Sequence, residues 1–543
     1  MAGGLLQLVA NGQANTILTG NPTTTFFKAV YKHYTPFGLQ RFRMDYDGLR
    51  NLSFDTPTEF NFKIPRYAEM LWDTYIVLNL PDIWSPLYDT TNYNPYKFRW
   101  IKNVGFNMIK QITINSGGGI LAQYSGEWMQ NAISRDETDK IELIDRMTGN
   151  IPELYDPASV HDECYPNAYK EDSKPLTDGC PPLSECEPSI RGRKLYIPLM
   201  AWFCHSTKTA LPLIALQYQE ISIKVEFRSV KELFTIQTYD KNTCGTSKPC
   251  RIAPNPADIQ DQMWRFIQEP PCFDHAKSNS EVTALYKNRR NDWNTDIHLM
   301  GTYIFLGDEE RRVMAAQESQ TLVKMQYEWD YLNTTGSSRV DVPSRDMISS
   351  YMWRFRRSDV NIRNEWSNYQ NYEREDENPN DISKYTIPVN PSLFYTGTRS
   401  IDNIKDIMID MALLCGQDYR ETTHNAGVYA YVEKWKRTTG VAKDGLYCYN
   451  FCTNTNRLIY QPTGAQNTNK WKHLTFEFNT IQPPRAGRDN LTVGVTCDSD
   501  GNIIGIRKDM ADLNKYNYDL RIFEERYNII EIVSGRIGLL CAR

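Results

Sequence analysis

Residues 193–227 read RKLYIPLMAWFCHSTKTALPLIALQYQEISIKVEF and end in a period-2 run. Ile221, Ile223, Val225 and Phe227 alternate with Ser222, Lys224 and Glu226. That alternation predicts a strand with one buried face and one wet face. Upstream, the apolar run from Leu195 to Phe203 is interrupted by Pro198. Proline has no N–H to give a ladder, so this run suits a sheet edge or a strand end. Between the two, Thr209 to Leu216 is too dense in apolar residues for an exposed loop. It reads as a buried connection between two strands that close one barrel or sandwich.

The same logic extends outward. Phe60, Phe62 and Ile64 alternate, and Met70 to Leu80 is a second strand that stops before Pro81. Ile112 and Ile114 lead into Asn115-Ser-Gly-Gly-Gly119, and Ile120-Leu121 resume: a hairpin whose glycines supply the turn. From Gly126 the period changes to a helical one, with Ser125 as a candidate cap and Gly149 as a terminator. Residues 150–192 form a long loop rich in Pro, Asp, Glu and Cys, and loops of that length are usually functional or displayed. Residues 236–290 are another polar excursion. Thr295 to Leu306 then reads as a strand running into a helix capped by Asp308, with Glu309 and Glu310 in its first turn. Later strands are expected around Met325–Trp329, Tyr447–Phe451 and Leu474–Phe478.

The wording of several stretches resembles the double jelly-roll major capsid proteins of nucleocytoplasmic large DNA viruses. The resemblance rests on PLMAWFC followed by ALPLIALQYQE and an alternating strand, on SGEW at Ser125–Trp128, on YIFL at Tyr303–Leu306, on QPTG at Gln461–Gly464 and on Asn528–Gly535. It implies an all-β protein of two consecutive eight-stranded antiparallel jelly rolls, with short inserted helices and long loops. The expected division is an N-terminal arm over residues 1–50, a first jelly roll over 51–235, a connection over 236–290 and a second jelly roll over 291–543. In such a protein the arm faces the capsid interior. Its residues Leu18, Thr19, Gly20, Asn21, Pro22, Phe26, Phe27 and Tyr31 are the candidate assembly residues, with Gly20 supplying a positive φ in the LTGNP turn.

The resemblance also implies the function. Two β-boxes side by side, repeated three times around a closed ring, present six similar units and tile a flat facet. The partners it implies are two further copies in a homotrimer, neighbouring capsomers and minor capsid proteins beneath the shell. An internal membrane can underlie such a shell without being entered by this chain. The alternatives are a minor or penton-proximal paralogue and, from another class, a carbohydrate-binding or metal-dependent jelly-roll protein.

Composition agrees with a shell protein. At 543 residues the chain exceeds one ordinary core. A net charge of -5 gives no bulk basicity for neutralising packaged nucleic acid, so direct genome contact is not expected. No apolar run approaches the ~18 residues of a membrane span. MAGGLLQLVANG lacks the basic region of a secretory signal, so synthesis and assembly in the host cytoplasm, and residence in the virion, are expected. Of the cysteines, Cys204, Cys415, Cys448, Cys452 and Cys541 read as buried free thiols. Cys164, Cys180, Cys186, Cys244, Cys250 and Cys272 lie in loops, where disulfides are disfavoured by a reducing cytosol but open to particles that leave it.

Catalytic readings find little support. The histidines at 33, 161, 205, 275, 298, 424 and 473 include no pair two apart, as a cupin-type metal site needs. No HExxH, GxSxG or P-loop occurs, so no cofactor, catalytic residue or metal ligand is assigned. Asp498-Ser-Asp-Gly501 reads as a hairpin turn because the other ligands of a calcium loop are missing. Met352-Trp-Arg-Phe-Arg-Arg357 interleaves arginines with aromatics, but acidic residues follow, and it reads as a solvated or subunit-facing surface. Asn51, Asn333 and Asn490 are glycosylation sequons in form; without a signal peptide ER glycosylation is not expected, and glycosylation by another route stays open.

Overall fold

A computed structural model of the chain describes residues 3–10, 12–89, 94–160, 165–166, 187–238, 250–271, 279–375, 404–459, 461–471, 473–484, 493–497, 503–508 and 514–541. Sixteen principal strands among them form two sandwiches. The first comprises β1 (Phe37–Asp45), β2 (Thr58–Lys63), β3 (Met70–Leu80), β4 (Ile109–Ser116), β5 (Gly119–Tyr124), β6 (Arg193–Pro198), β7 (Ile221–Phe227) and β8 (His298–Leu306). One of its sheets runs β1-β8-β3-β6 and the other β2-β7-β4-β5. The second comprises β9 (Ser319–Tyr331), β10 (Ser337–Val342), β11 (Met347–Arg357), β12 (Met408–Cys415), β13 (Asp418–Asn425), β14 (Leu446–Asn450), β15 (Leu474–Thr480) and β16 (Tyr518–Val533). Its sheets run β9-β16-β11-β14 and β10-β15-β12-β13. Numbered within each sandwich, both follow 1-8-3-6 and 2-7-4-5, the jelly-roll order, with every principal pairing antiparallel.

The 193–227 stretch behaves as its pattern dictates. Along β7 every second residue is buried, and Ile223 sits opposite Phe62 of β2 and Ile114 of β4. Pro198 is the last residue of β6, where a missing N–H costs nothing. Ala210, Leu211, Leu213, Ala215 and Leu216 are buried in the connection between β6 and β7.

Strand pairing moves two of the expected borders. The strand expected to open the second unit is β8, and it is hydrogen-bonded between β1 and β3 of the first, with Phe37 opposite Leu306 and Leu299 opposite Ile76. β1 itself lies inside the segment expected to be wholly arm. It escapes pattern reading because an edge strand with most residues exposed shows no alternation. The first jelly roll therefore extends past residue 235 to Leu306, and residues 236–290 are an excursion within it rather than a connection between units.

Three of the helices inserted at strand ends follow the first jelly roll's strands β5 and β8. α1 (Gly126–Asp136) leaves β5 directly, and its cap Ser125 accepts a hydrogen bond from Trp128 N at 3.1 Å. α2 (Ile141–Thr148) ends on Gly149, whose φ of +80° suits glycine. α3 (Asp308–Ala316) follows β8. Gly307 is its cap residue, and Asp308 is the first helical residue, where its charge favours the helix start without a capping bond.

Candidate assembly surface

The two jelly rolls meet along a buried ionic seam. The β9-β16-β11-β14 sheet turns one face into its own core, through Trp353, Phe355, Tyr447 and Ile522. Its other face meets the first roll, which is why all five residues of β14 are buried. On that face lie Arg354 and Arg356 of β11 and Arg521 and Glu525 of β16. α1 from the first roll lies against them.

The geometry of the seam is specific. Glu127 of α1, 4% exposed, accepts from Arg354 Nε at 2.5 Å and Nη2 at 3.1 Å, and from Arg521 Nη1 at 3.0 Å. Arg356 adds a guanidinium 3.7 Å away. Arg521 also grips Asp330 of β9 at 2.5 Å. About two turns along α1, fully buried Arg135 pairs with Asp136 at 2.7 Å and with Glu525 at 3.2 Å. Arg457 pairs with the same Glu525 and stacks on Trp128, 3.9 Å from the ring centroid. Burial alone would raise the Glu127 carboxyl. The guanidiniums of Arg354, Arg356 and Arg521 overcome it and hold that carboxyl well below the usual range. Glu525 is depressed in the same way, by Arg135 and Arg457 against burial.

Neutral contacts close the rest of the boundary. Gly440 N donates to Arg135 O and Ala442 N to Ser134 O, both at 2.7 Å. Asn364 Nδ2 donates to the carbonyls of Lys231 and Phe234, and Trp366 Nε1 to that of Glu232. Hydrogen bonds in this low-dielectric boundary reinforce the ion pairs and make the two sandwiches one block.

The Met352–Arg357 stretch is therefore an internal surface, correcting the solvated or subunit-facing expectation. Arg354 and Arg356 find their counter-charge in Glu127, more than two hundred residues earlier, which no local pattern reveals, while Arg357 pairs with nearby Asp359 at 2.6 Å. One signal was available. In β11 the aromatics Tyr351, Trp353 and Phe355 share one face while Met352, Arg354 and Arg356 share the other. Buried on both faces, such a strand needs partners for its arginines.

The arm is the opposite case. Residues 12–40 are exposed throughout. Short helices cover Gly3–Val9 and Thr16–Thr19, and the chain then continues without regular structure to β1. Phe26 is 99% exposed, and Leu18, Phe27 and Tyr31 are nearly as bare. Asn21, with φ of 50°, takes the left-handed conformation expected of Gly20. Gly20 keeps an ordinary φ of -71°, and a Cβ there would lie 2.5 Å from Thr16 O. Thr19 donates to Asn15 O at 2.7 Å, and Pro22 follows Asn21 in the exposed run.

Of the sequons, Asn51 is tied down: its Nδ2 donates to Asp292 at 2.7 Å and its backbone bridges Asn294. Asn333 is exposed in a left-handed turn, and Asn490 lies outside the described residues. Cys415, Cys448 and Cys452 are buried free thiols, while free Cys204 and Cys541 are only half-buried. The side chains of the loop cysteines, and residues 498–501, lie outside the described residues. Among the described residues no three His, Cys, Asp or Glu side chains form a metal-holding group, and no helix is long and apolar enough to cross a membrane.

Comparison with known proteins agrees with this architecture. Residues 25–265 match the family model for the major capsid protein N-terminus. Probable capsid protein 4 of Acanthamoeba polyphaga mimivirus is 33% identical over 44% of this chain and 40% of its own length, so the match spans well under two thirds of that relative. The major capsid protein of Paramecium bursaria Chlorella virus 1 aligns over 100% of both chains at 23% identity. Among solved structures, the quasi-atomic PBCV-1 virus capsid superposes with a TM-score of 0.58 at 16% identity, covering 96% of this chain and 100% of that one. The Faustovirus major capsid protein gives 0.56 at 11%, covering 96% and 94%. At these identities the structural likeness is one of fold. Strand order and the solved structures give the chain the double jelly-roll fold of these capsid proteins, and the match over residues 25–265 makes that part of it similar to the major capsid protein N-terminus.

Proposed function

We propose that this chain is the major building block of an icosahedral outer shell, three copies closing into a pseudo-hexameric tile of a large double-stranded DNA virus. One observation carries the reading: two jelly rolls of identical strand order are locked into a single block by the seam. A rigid pair of equivalent boxes supplies two of six corners, and threefold closure supplies the rest without leaving a free heterologous surface. The exposed arm, with Leu18, Phe26, Phe27 and Tyr31 at its surface, supports a role in gripping neighbouring capsomers or minor capsid proteins on the inner side. In this reading the chain acts by packing rather than catalysis, in the virion, after synthesis in the host cytoplasm.

Light scattering of the purified chain during size exclusion tests the proposal. The expected particle has a mass of about 189 kDa, three times the 63.0 kDa chain, and a hexagonal outline in negative stain. A species that stays monomeric at tens of micromolar overturns it.

A further inference from the structure

The internal duplication exposes a helix whose counterpart is already docked. In the first roll, α1 leaves the fifth strand under the cap Ser125. In the second, helix 426–437 leaves the fifth strand, β13, in the same way, with Gly427 N donating to Asn425 Oδ1 at 2.9 Å. Setting Ser125 beside Asn425 puts Glu127, Asn131 and Arg135 at the positions of Gly427, Tyr431 and Trp435. The first three residues are those with which α1 reaches the second roll. Glu127 pairs with Arg354, Asn131 accepts from the Tyr369 hydroxyl at 3.1 Å, and Arg135 pairs with Glu525.

Within one chain two of the three matching positions face solvent, Gly427 being half-buried. Tyr431 is 68% and Trp435 80% exposed, and Val432 is exposed beside them. Residues Val428–Val432 form a π-helical turn, a rare irregularity frequently found at functional sites. Large aromatic side chains on a bare helix face are also the usual anchors of protein interfaces.

We infer that this helix docks on the first jelly roll of a second copy of the chain, against the outward face of the β1-β8-β3 sheet. That sheet is the equivalent of the one on which α1 rests. Its outward face carries exposed Arg41 on β1, half-buried Met300 on β8, and half-buried Asp73 and Tyr75 on β3. Inside the chain, first-roll helix meets second-roll sheet. Between copies, second-roll helix meets first-roll sheet, and repeating both contacts closes the ring. The inference rests on the trimeric reading of the chain and names the contact that builds the trimer.

The test compares the wild-type chain with the double variant Tyr431→Asp, Trp435→Asp, using light scattering and hydrogen–deuterium exchange. The wild-type trimer is expected to protect residues 426–437 and the β1 and β8 segments relative to the diluted monomer. The variant should weaken trimerisation at least ~100-fold while keeping the monomer's urea midpoint. A trimer unmoved by the variant, or one whose 426–437 segment exchanges as in the monomer, overturns this contact and leaves the trimer standing. A wild-type chain that never trimerises overturns both. Exchange on the wild-type protein decides the matter if the variant aggregates.

Discussion

Glu127→Gln is the sharpest single perturbation of the seam. The carboxylate is almost wholly buried, accepts from two guanidiniums within 3.1 Å and faces a third at 3.7 Å. Glutamine keeps the shape and one acceptor oxygen but removes the charge, and it points N–H donors at guanidinium donors. Deleting one partner of a buried ion pair costs about 3–5 kcal/mol; here buried Arg354 and Arg356 lose their carboxylate, while Arg521 keeps Asp330. At ~1.4 kcal/mol per factor of ten, opening of the seam becomes about a thousandfold more frequent. Urea is the right denaturant because guanidinium salt would screen the interaction under study. Wild type and variant must be compared at equal protomer concentration, since assembly raises apparent stability by mass action. The variant is expected to lose about 4 kcal/mol and to split one unfolding transition into two, as the rolls uncouple. Arg354→Met and the double mutant complete a cycle whose coupling energy should reach about 2–3 kcal/mol. A cost below about 1 kcal/mol, or strictly additive single costs, would refute the view that the seam joins the rolls.

The same boundary sets two further expectations. Glu127 and Glu525 titrate lower in the folded chain than the ordinary 4.5. As pH falls, the unfolded chain takes up their protons first, so their stabilisation is complete above about pH 4.5 and is lost below it. The urea midpoint should decline more steeply below pH 4.5 in the wild type than in Glu127→Gln, and parallel profiles would contradict the assignment. Gly126→Ala should destabilise by about 3 kcal/mol, because a Cβ there would lie 2.0 Å from Phe106 O and 2.6 Å from Ile109 O, both backbone atoms that cannot yield. A urea midpoint within error of the wild type would show that α1 can move away from the first roll.

Local pattern carried the strands and little of what joins them. β7 was legible because half of it faces water, so the buried set stands out against Ser222, Lys224 and Glu226. β1 was hidden because most of it is exposed, with Met44 alone buried, so alternation, the cue available, disappears. β14 was legible from Tyr447 and Tyr449 although all five of its residues are buried, but that pattern did not show that its second face meets the other roll. The border between the rolls was misplaced for a related reason. A jelly roll pairs its last strand with its first, and nothing local to Tyr303–Leu306 shows that its partner is Phe37–Gln40. The resemblance to capsid proteins supplied the doubled fold. It could not supply the seam, whose charges sit on α1, β11 and β16 and become neighbours only after folding.

The pairing of β1 with β8 has a consequence for biogenesis. Asp45 and His298, the nearest-in-sequence pair of that ladder, are separated by more than two hundred residues of polypeptide. At ~5–20 residues per second on the ribosome, the nascent chain carries the unpaired rim of its opening strand for roughly 10–50 s before the mate emerges. During that interval its amides and the bare aromatic leader ahead of them are open to other nascent chains on the same polysome. Yield of native protein should therefore depend on elongation speed and on chaperones that shield the leader, a vulnerability written into the topology rather than into any one side chain.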